Sequence, residues 1–229
     1  MKKFLNVYNV LNLLLILAVL VGDVFYIVHG TLLIKTITSV LFVLLGALNL
    51  FYAFKHKTNN KKFCILMLTG LFFAMLGDVL LEIEFIVGAL LFAVGHVFYF
   101  VSYCSLVKFE WKDLIYGACI FGPVTLFIVL APMFDFGGLL MEFVCIFYAL
   151  IISCMVGKSI SNFVKEKSLL HLLLMIGSLL FMFSDFMLLL NVFGNFPRIV
   201  GILCLATYYP AECVLAVSIN ANNLFKKTK

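Results

Sequence analysis

Eight apolar runs, each long enough to cross a bilayer, leave this chain few ways to fold. A span needs about 20 mostly apolar residues. On that rule helices are predicted near 5–28, 31–54, 63–82, 85–107, 114–133, 138–157, 169–190 and 198–221. In hydrocarbon every backbone N–H and C=O must find its partner inside the protein, so only helices and closed barrels span membranes. The runs have neither the alternation nor the turn spacing of an outer-membrane barrel. The predicted class is therefore all-α: a polytopic membrane bundle of eight helices forming a single domain over residues 1–229. Composition agrees, with 65% hydrophobic and 12% charged residues where a soluble domain carries about 25% charged. Lys2 and Lys3 precede the first run as in a signal peptide. The run continues to about Val28 without an A-x-A cleavage site, so it reads as an uncleaved span.

Basic residues set the topology. Lys2, Lys3, Lys55, Lys57, Lys61, Lys62, Lys108, Lys112, Lys158, Lys165, Lys167, Lys226, Lys227 and Lys229 fall in loops and tails on the N-terminal side, which is 14 of the 16 basic residues. Lys35 and Arg198 fall on the other side. Such a bias places both termini in the cytoplasm, and an odd number of spans would scramble it. The formal charge of +5 is thereby a topological signal and gives no reason to expect a nucleic-acid partner. The seven cysteines follow no CxxC or Cys/His spacing, so no disulfide framework and no metal site is expected. The Lys/Asn/Phe-rich composition leans towards a bacterial plasma membrane.

Ionisable residues at membrane depth are costly and mark function. Asp78 and Asp185 are the leading pair. Gly70, Gly77 and Asp78 share their spacing with Gly177, Ser184 and Asp185, and Gly88, Gly95 and His96 repeat it in the next helix. Small residues seven apart make a stripe for close helix approach. The recurrence suggests two four-helix halves related by an axis along the membrane normal. With a rise of about 1.5 Å per residue, Asp78 and Asp185 lie about 22 and 24 Å from the cytoplasmic ends of their helices. Glu82 follows one turn above Asp78. His96, Tyr99, Tyr208, Tyr209 and Glu212 bring further polar groups towards mid-membrane, and Asp23 could reach the pocket mouth. Pro210 is expected to open its helix near Ala206. No lysine or arginine is expected inside a span, so the aspartates are expected to lack a cationic partner. One acid kept protonated beside one kept ionised is the arrangement that acid and base roles need. No G-x-S-x-G, HExxH, P-loop or Rossmann fingerprint is present.

The segments GDVLLEIEFIVGALLFAVGHVFYF, GSLLFMFSDFMLLL and TYYPAE resemble the YhhN-like lysoplasmalogenase family of eight-helix membrane proteins. The resemblance covers nearly the whole chain in helix number and order. Its specific residues lie in the third, fourth, seventh and eighth helices. One departure is Glu212, where the family pattern has glutamine. The resemblance implies cleavage of the vinyl ether bond of lysoplasmalogens, giving a fatty aldehyde and a glycerophospho-headgroup. It maps the family's paired aspartates onto Asp78 and Asp185 as catalytic residues. Glu82, His96, Tyr99, Tyr208, Tyr209 and Glu212 would then bind substrate. No metal or other cofactor is required, and the partners are a lysophospholipid and the bilayer. A proton-coupled transporter or lipid flippase is the alternative, since intramembrane acids, a proline-broken helix and a two-half repeat suit it as well. A sensor or assembly protein with purely structural acids is a third reading.

Overall fold

The structure, a computed structural model, describes residues 7–221. Lys2, Lys3, Lys226, Lys227 and Lys229, which entered the charge argument, lie outside the described residues. Among the described residues there are eight helices and no strand. They are α1 (Val7–His29), α2 (Leu32–Lys55), α3 (Lys61–Leu81), α4 (Phe85–Leu106), α5 (Asp113–Leu130), α6 (Leu139–Glu166), α7 (Leu169–Phe193) and α8 (Ile199–Ser218). All eight are long and apolar enough to span a membrane, which fits an integral multi-pass protein.

Helices α2, α3, α4, α6, α7 and α8 form a closed ring in which each packs against the next and α8 returns to α2. α1 lies outside against α2 and α8, and α5 lies outside against α6. Short connections enforce antiparallel neighbours. The short one between α1 and α2 relies on Gly30, whose φ of +62° is a left-handed conformation that glycine adopts without steric cost. Its N–H closes α1 by donating to Tyr26 O at 2.8 Å. Between α3 and α4 the glycine stripes put backbone against backbone. A Cβ on Gly88 would collide with the backbone of Leu81, and one on Gly95 would sit 3.2 Å from Gly70 O. Gly70 and Gly77 likewise give room to the rings of Tyr99 and Phe92.

Three sequence expectations need correction. The fifth helix stops at Leu130 and not near 133, because Ala131 precedes Pro132 and takes the extended backbone (ψ 117°) that a following proline imposes. α8 runs unbroken through Pro210 and does not open near Ala206. The largest change is α6, which continues nine residues past the predicted end at 157 to Glu166. The segment KSISNFVKE falls between two predicted spans, yet it is helical, and its Lys158, Ser161 and Asn162 are buried beside a buried acid. Lys158 donates to Asp113 Oδ2 at 2.6 Å, Ser161 to Oδ1 at 2.5 Å, and Lys165 to Oδ1 at 2.7 Å. Asn162 adds a bond to Tyr103 O at 2.9 Å. Lys158 is thus an interior residue, not a loop lysine.

Removing one member of a buried ion pair strands the other, at a cost of about 3–5 kcal/mol. Asp113→Ala should therefore lower stability by about that amount in thermal unfolding of the detergent-solubilised protein. Asp113→Leu combined with Lys158→Met should recover most of it. A single variant as stable as the parent would contradict this account of why α6 is long.

Candidate functional site

Asp78 lies in the last turn of α3, and Lys35 lies in the first turn of α2. Both side chains are buried, and Lys35 Nζ is 3.2 Å from Asp78 Oδ1. Lys35 also reaches Glu82 Oε1 at 2.8 Å. Hence Asp78 does have a cationic partner, contrary to the sequence expectation. A lysine stem is long and apolar, and this one turns its head into the bundle instead of out to the interface. Asp78 Oδ2 accepts from Ser39 Oγ at 2.5 Å and from Tyr209 OH at 3.0 Å. With the ammonium, these donors surround the carboxylate with charge-assisted bonds of the strong kind. Glu82 sits just beyond α3, with its side chain 44% exposed. It accepts from Tyr26 OH at 2.5 Å. The Tyr26 ring also lies under Lys35 Nζ, 5.2 Å from ring centre to nitrogen.

Asp185, in α7, has different surroundings. Tyr148 OH, from α6, donates to its Oδ2 at 2.6 Å. His96 Nε2 lies 2.8 Å from Tyr148 OH and 3.4 Å from Asp185 Oδ2. Tyr148 has a single hydroxyl proton. Since it donates to Asp185, His96 Nε2–H donates to the tyrosine, giving a directed chain His96→Tyr148→Asp185. The other ring nitrogen of His96, Nδ1, is buried without a partner. No lysine or arginine lies within ion-pair distance of Asp185 among the described residues.

Two cavities meet at this point. The first is polar, about 310 Å³, with Lys35, Asp78, Glu82, Asp185, Arg198 and Tyr208 on its walls. The second is a narrow slot between α3, α4, α5, α6 and α7, lined by apolar side chains such as Phe85, Ile128, Met182 and Phe186. Leu81, Phe92, Leu188 and Asp185 belong to both linings. Asp185 is the ionisable residue common to the two.

The sequence of the ring helices decides what the chain is related to. The YhhN family model matches residues 30–219. The chain belongs to the YhhN family. That family includes lysoplasmalogenases. No curated protein and no solved structure matches the chain. The matched segment contains every residue described above except Tyr26, which α1 contributes to the family's core from outside it.

Of the residues singled out from sequence, Asp78, Glu82, Asp185 and Tyr208 line the polar cavity. His96 and Tyr209 stand behind it, each hydrogen-bonded to an aspartate or its tyrosine partner. Tyr99 and Glu212 make a separate buried pair at 2.9 Å and line neither cavity. Asp23 is buried in α1 and does not line the polar cavity, and its Oδ1 has no partner among the described residues. Lys35, Ser39 and Tyr148 were missed. The available signals were a lysine four residues into an apolar run and a lone tyrosine in VCIFYALII.

Burial raises the Glu82 carboxyl, but hydrogen bonds from Lys35 and Tyr26 outweigh it and hold the group below its ordinary value. Its stabilising contribution is therefore present above the unfolded value and lost as pH falls through the folded one. Glu82→Gln should reduce stability at neutral pH and flatten its decline on acidification, measured as melting temperature against pH. Lys35→Met should destabilise by about 3–5 kcal/mol, with Asp78→Asn added to it restoring a large part. Additive losses in that double-variant cycle would contradict the coupling.

Proposed function

We propose that the protein is a lysoplasmalogenase-type hydrolase, cleaving the vinyl ether of a single-chain lysolipid to a fatty aldehyde and a glycerophospho-headgroup. Family membership supports the general activity. The observation that carries the finer reading is the position of Asp185, on the wall common to the apolar slot and the polar cavity. An amphiphile with its chain in the slot and its head in the cavity presents the ether, which joins the two, to that carboxyl.

The chemistry needs a proton delivered to carbon. Asp185, carrying that proton, donates it to the β-carbon of the vinyl ether. A C–H bond forms and the double-bond electrons are drawn in, leaving an oxocarbenium ion. Asp185 is then a carboxylate, and the Tyr148 hydroxyl bonded to it stabilises the charge it has acquired, backed by His96. Asp78, fixed as an anion by Lys35, Ser39 and Tyr209, stabilises the cation through the field in the cavity. Water adds to the oxocarbenium carbon and loses its proton to the Asp185 carboxylate. The resulting hemiacetal breaks its C–O bond to the glycerol, whose oxygen takes up a proton as the aldehyde is released. This division assigns Asp185 to acid and base work and Asp78 to electrostatics. The charge bias supports an orientation with both termini cytoplasmic and the polar cavity towards the opposite leaflet.

The test is purified protein in detergent with a lysoplasmalogen and with its saturated alkyl-ether analogue, following aldehyde by mass spectrometry. Aldehyde should come from the vinyl ether alone. Asp185→Asn should lower kcat by about 10²–10⁴-fold, the range of a lost general acid or base. Tyr148→Phe should lower kcat by a smaller factor with little change in KM. Aldehyde production unaffected by Asp185→Asn would refute the mechanism. Passage of lysolipid across vesicles without cleavage would favour transport.

A further inference from the structure

The polar cavity has two cationic residues on its wall, and they are not equivalent. Lys35 is neutralised in place, with one carboxylate at 2.8 Å and another at 3.2 Å. Arg198 has no carboxylate within ion-pair distance among the described residues. It stands at the start of α8, exposed at the cavity's rim. Among the described residues its guanidinium makes one hydrogen bond, from Nη2 to Ile27 O at 3.2 Å, which tethers it to the end of α1 across the mouth. An arginine carries five N–H donors in a planar fork, so most of this one's capacity is free. Asn191, from the last turn of α7, lies on the same rim, packed over Gly201 of α8. A Cβ at Gly201 would come 3.0 Å from Asn191 Oδ1, so the bare glycine makes room for the amide.

We propose that Arg198, assisted by the Asn191 amide, binds the phosphodiester of the lysolipid headgroup and selects phospholipid over neutral lipid. The inference rests on the hydrolase reading for its substrate, but its chemistry is that of a guanidinium and a phosphate. A planar arginine fork matches phosphate oxygens in a way an ammonium does not. Position agrees with the lipid's own order of groups. From the chain outward, that order is ether, glycerol, phosphate. The polar cavity has Asp185 where it joins the slot, and Asn191 and Arg198 at the adjoining ends of α7 and α8. Behind the rim the wall carries the buried Asp78 and the largely buried Asp185, and Lys35 is already paired with Asp78 and Glu82, so a phosphate finds its free cation at Arg198.

The test compares two vinyl ethers in detergent, a lysoplasmalogen and a 1-O-alkenylglycerol that lacks the phosphate. Arg198→Ala should raise KM for the lysoplasmalogen about tenfold to hundredfold with little change in kcat. Its preference for the phosphorylated substrate, as a ratio of kcat/KM values, should fall by the same factor. Arg198→Lys should recover only part. Calorimetric binding of the saturated ether lysophospholipid, which needs no turnover, should weaken in parallel. An equal loss on both vinyl ethers would show a structural role and overturn the proposal, as would unaltered binding of the saturated lipid. Inorganic phosphate is titrated in its place as a control. Arginine-dependent binding of phosphate alone, with lysolipid binding independent of Arg198, would mark a free-anion site and also overturn it. Should the parent release no aldehyde, the hydrolase reading fails, and the saturated-lipid comparison still decides the phosphate site.

Discussion

One buried ammonium holds the polar half of this bundle together. Lys35 enters from α2, shares its charge between Asp78 of α3 and Glu82 just beyond it, and rests on the Tyr26 ring of α1. Tyr209 of α8 and Ser39 of α2 complete the cluster through Asp78. Four helices are thereby fixed to one another by groups that cannot be left unpaired at low dielectric. The cluster depends in turn on the α1–α2 corner. Gly30 turns the chain so tightly that Lys35 begins its helix beside Tyr26, within reach of the end of α3. The glycine stripes of α3 and α4 then bring the opposite wall close, so the cavity has rigid sides.

The two aspartates share depth, stripe and helix orientation in the sequence, and the structure gives them unlike surroundings. Asp78 is enclosed by an ammonium and two hydroxyls. Asp185 has a tyrosine hydroxyl and, behind it, a histidine, with no fixed cation and with 12% of its side chain exposed. Asymmetry of this kind is what allows two identical side chains to perform different tasks.

What could be read from the sequence follows from what each signal measures. Hydropathy measures transfer into hydrocarbon, so it located the eight spans and the acids that interrupt them. It treats every lysine as a residue expelled to water. Lys35 and Lys158 are both inside the protein, because each has a buried carboxylate to meet. No local signal could supply that, since the partners lie 43 and 45 residues away. The same blindness cut α6 short, as Lys158, Ser159, Ser161 and Asn162 are polar and buried at once. Tyr148 was missed for the opposite reason. It lies in an apolar run where a tyrosine is ordinarily packing, and only its neighbours in α4 and α7 give its hydroxyl a task.

The charge distribution fits the proposed reaction in a way that neither aspartate does alone. A vinyl ether passes through a cation when protonated on carbon, so its surroundings must favour positive charge at the ether and tolerate negative charge at the headgroup. On the cavity wall three carboxyls face one ammonium, while the wall's other cation, Arg198, stands at the rim without a carboxylate among the described residues. The resulting field runs along the lipid from ether to phosphate. Water excluded by the apolar slot strengthens it, because the same charges act more strongly where the dielectric is low. Binding and catalysis then draw on one arrangement. In the proposed complex the headgroup sits where the potential is positive, which would put the ether where the potential is negative and where Asp185 meets the slot.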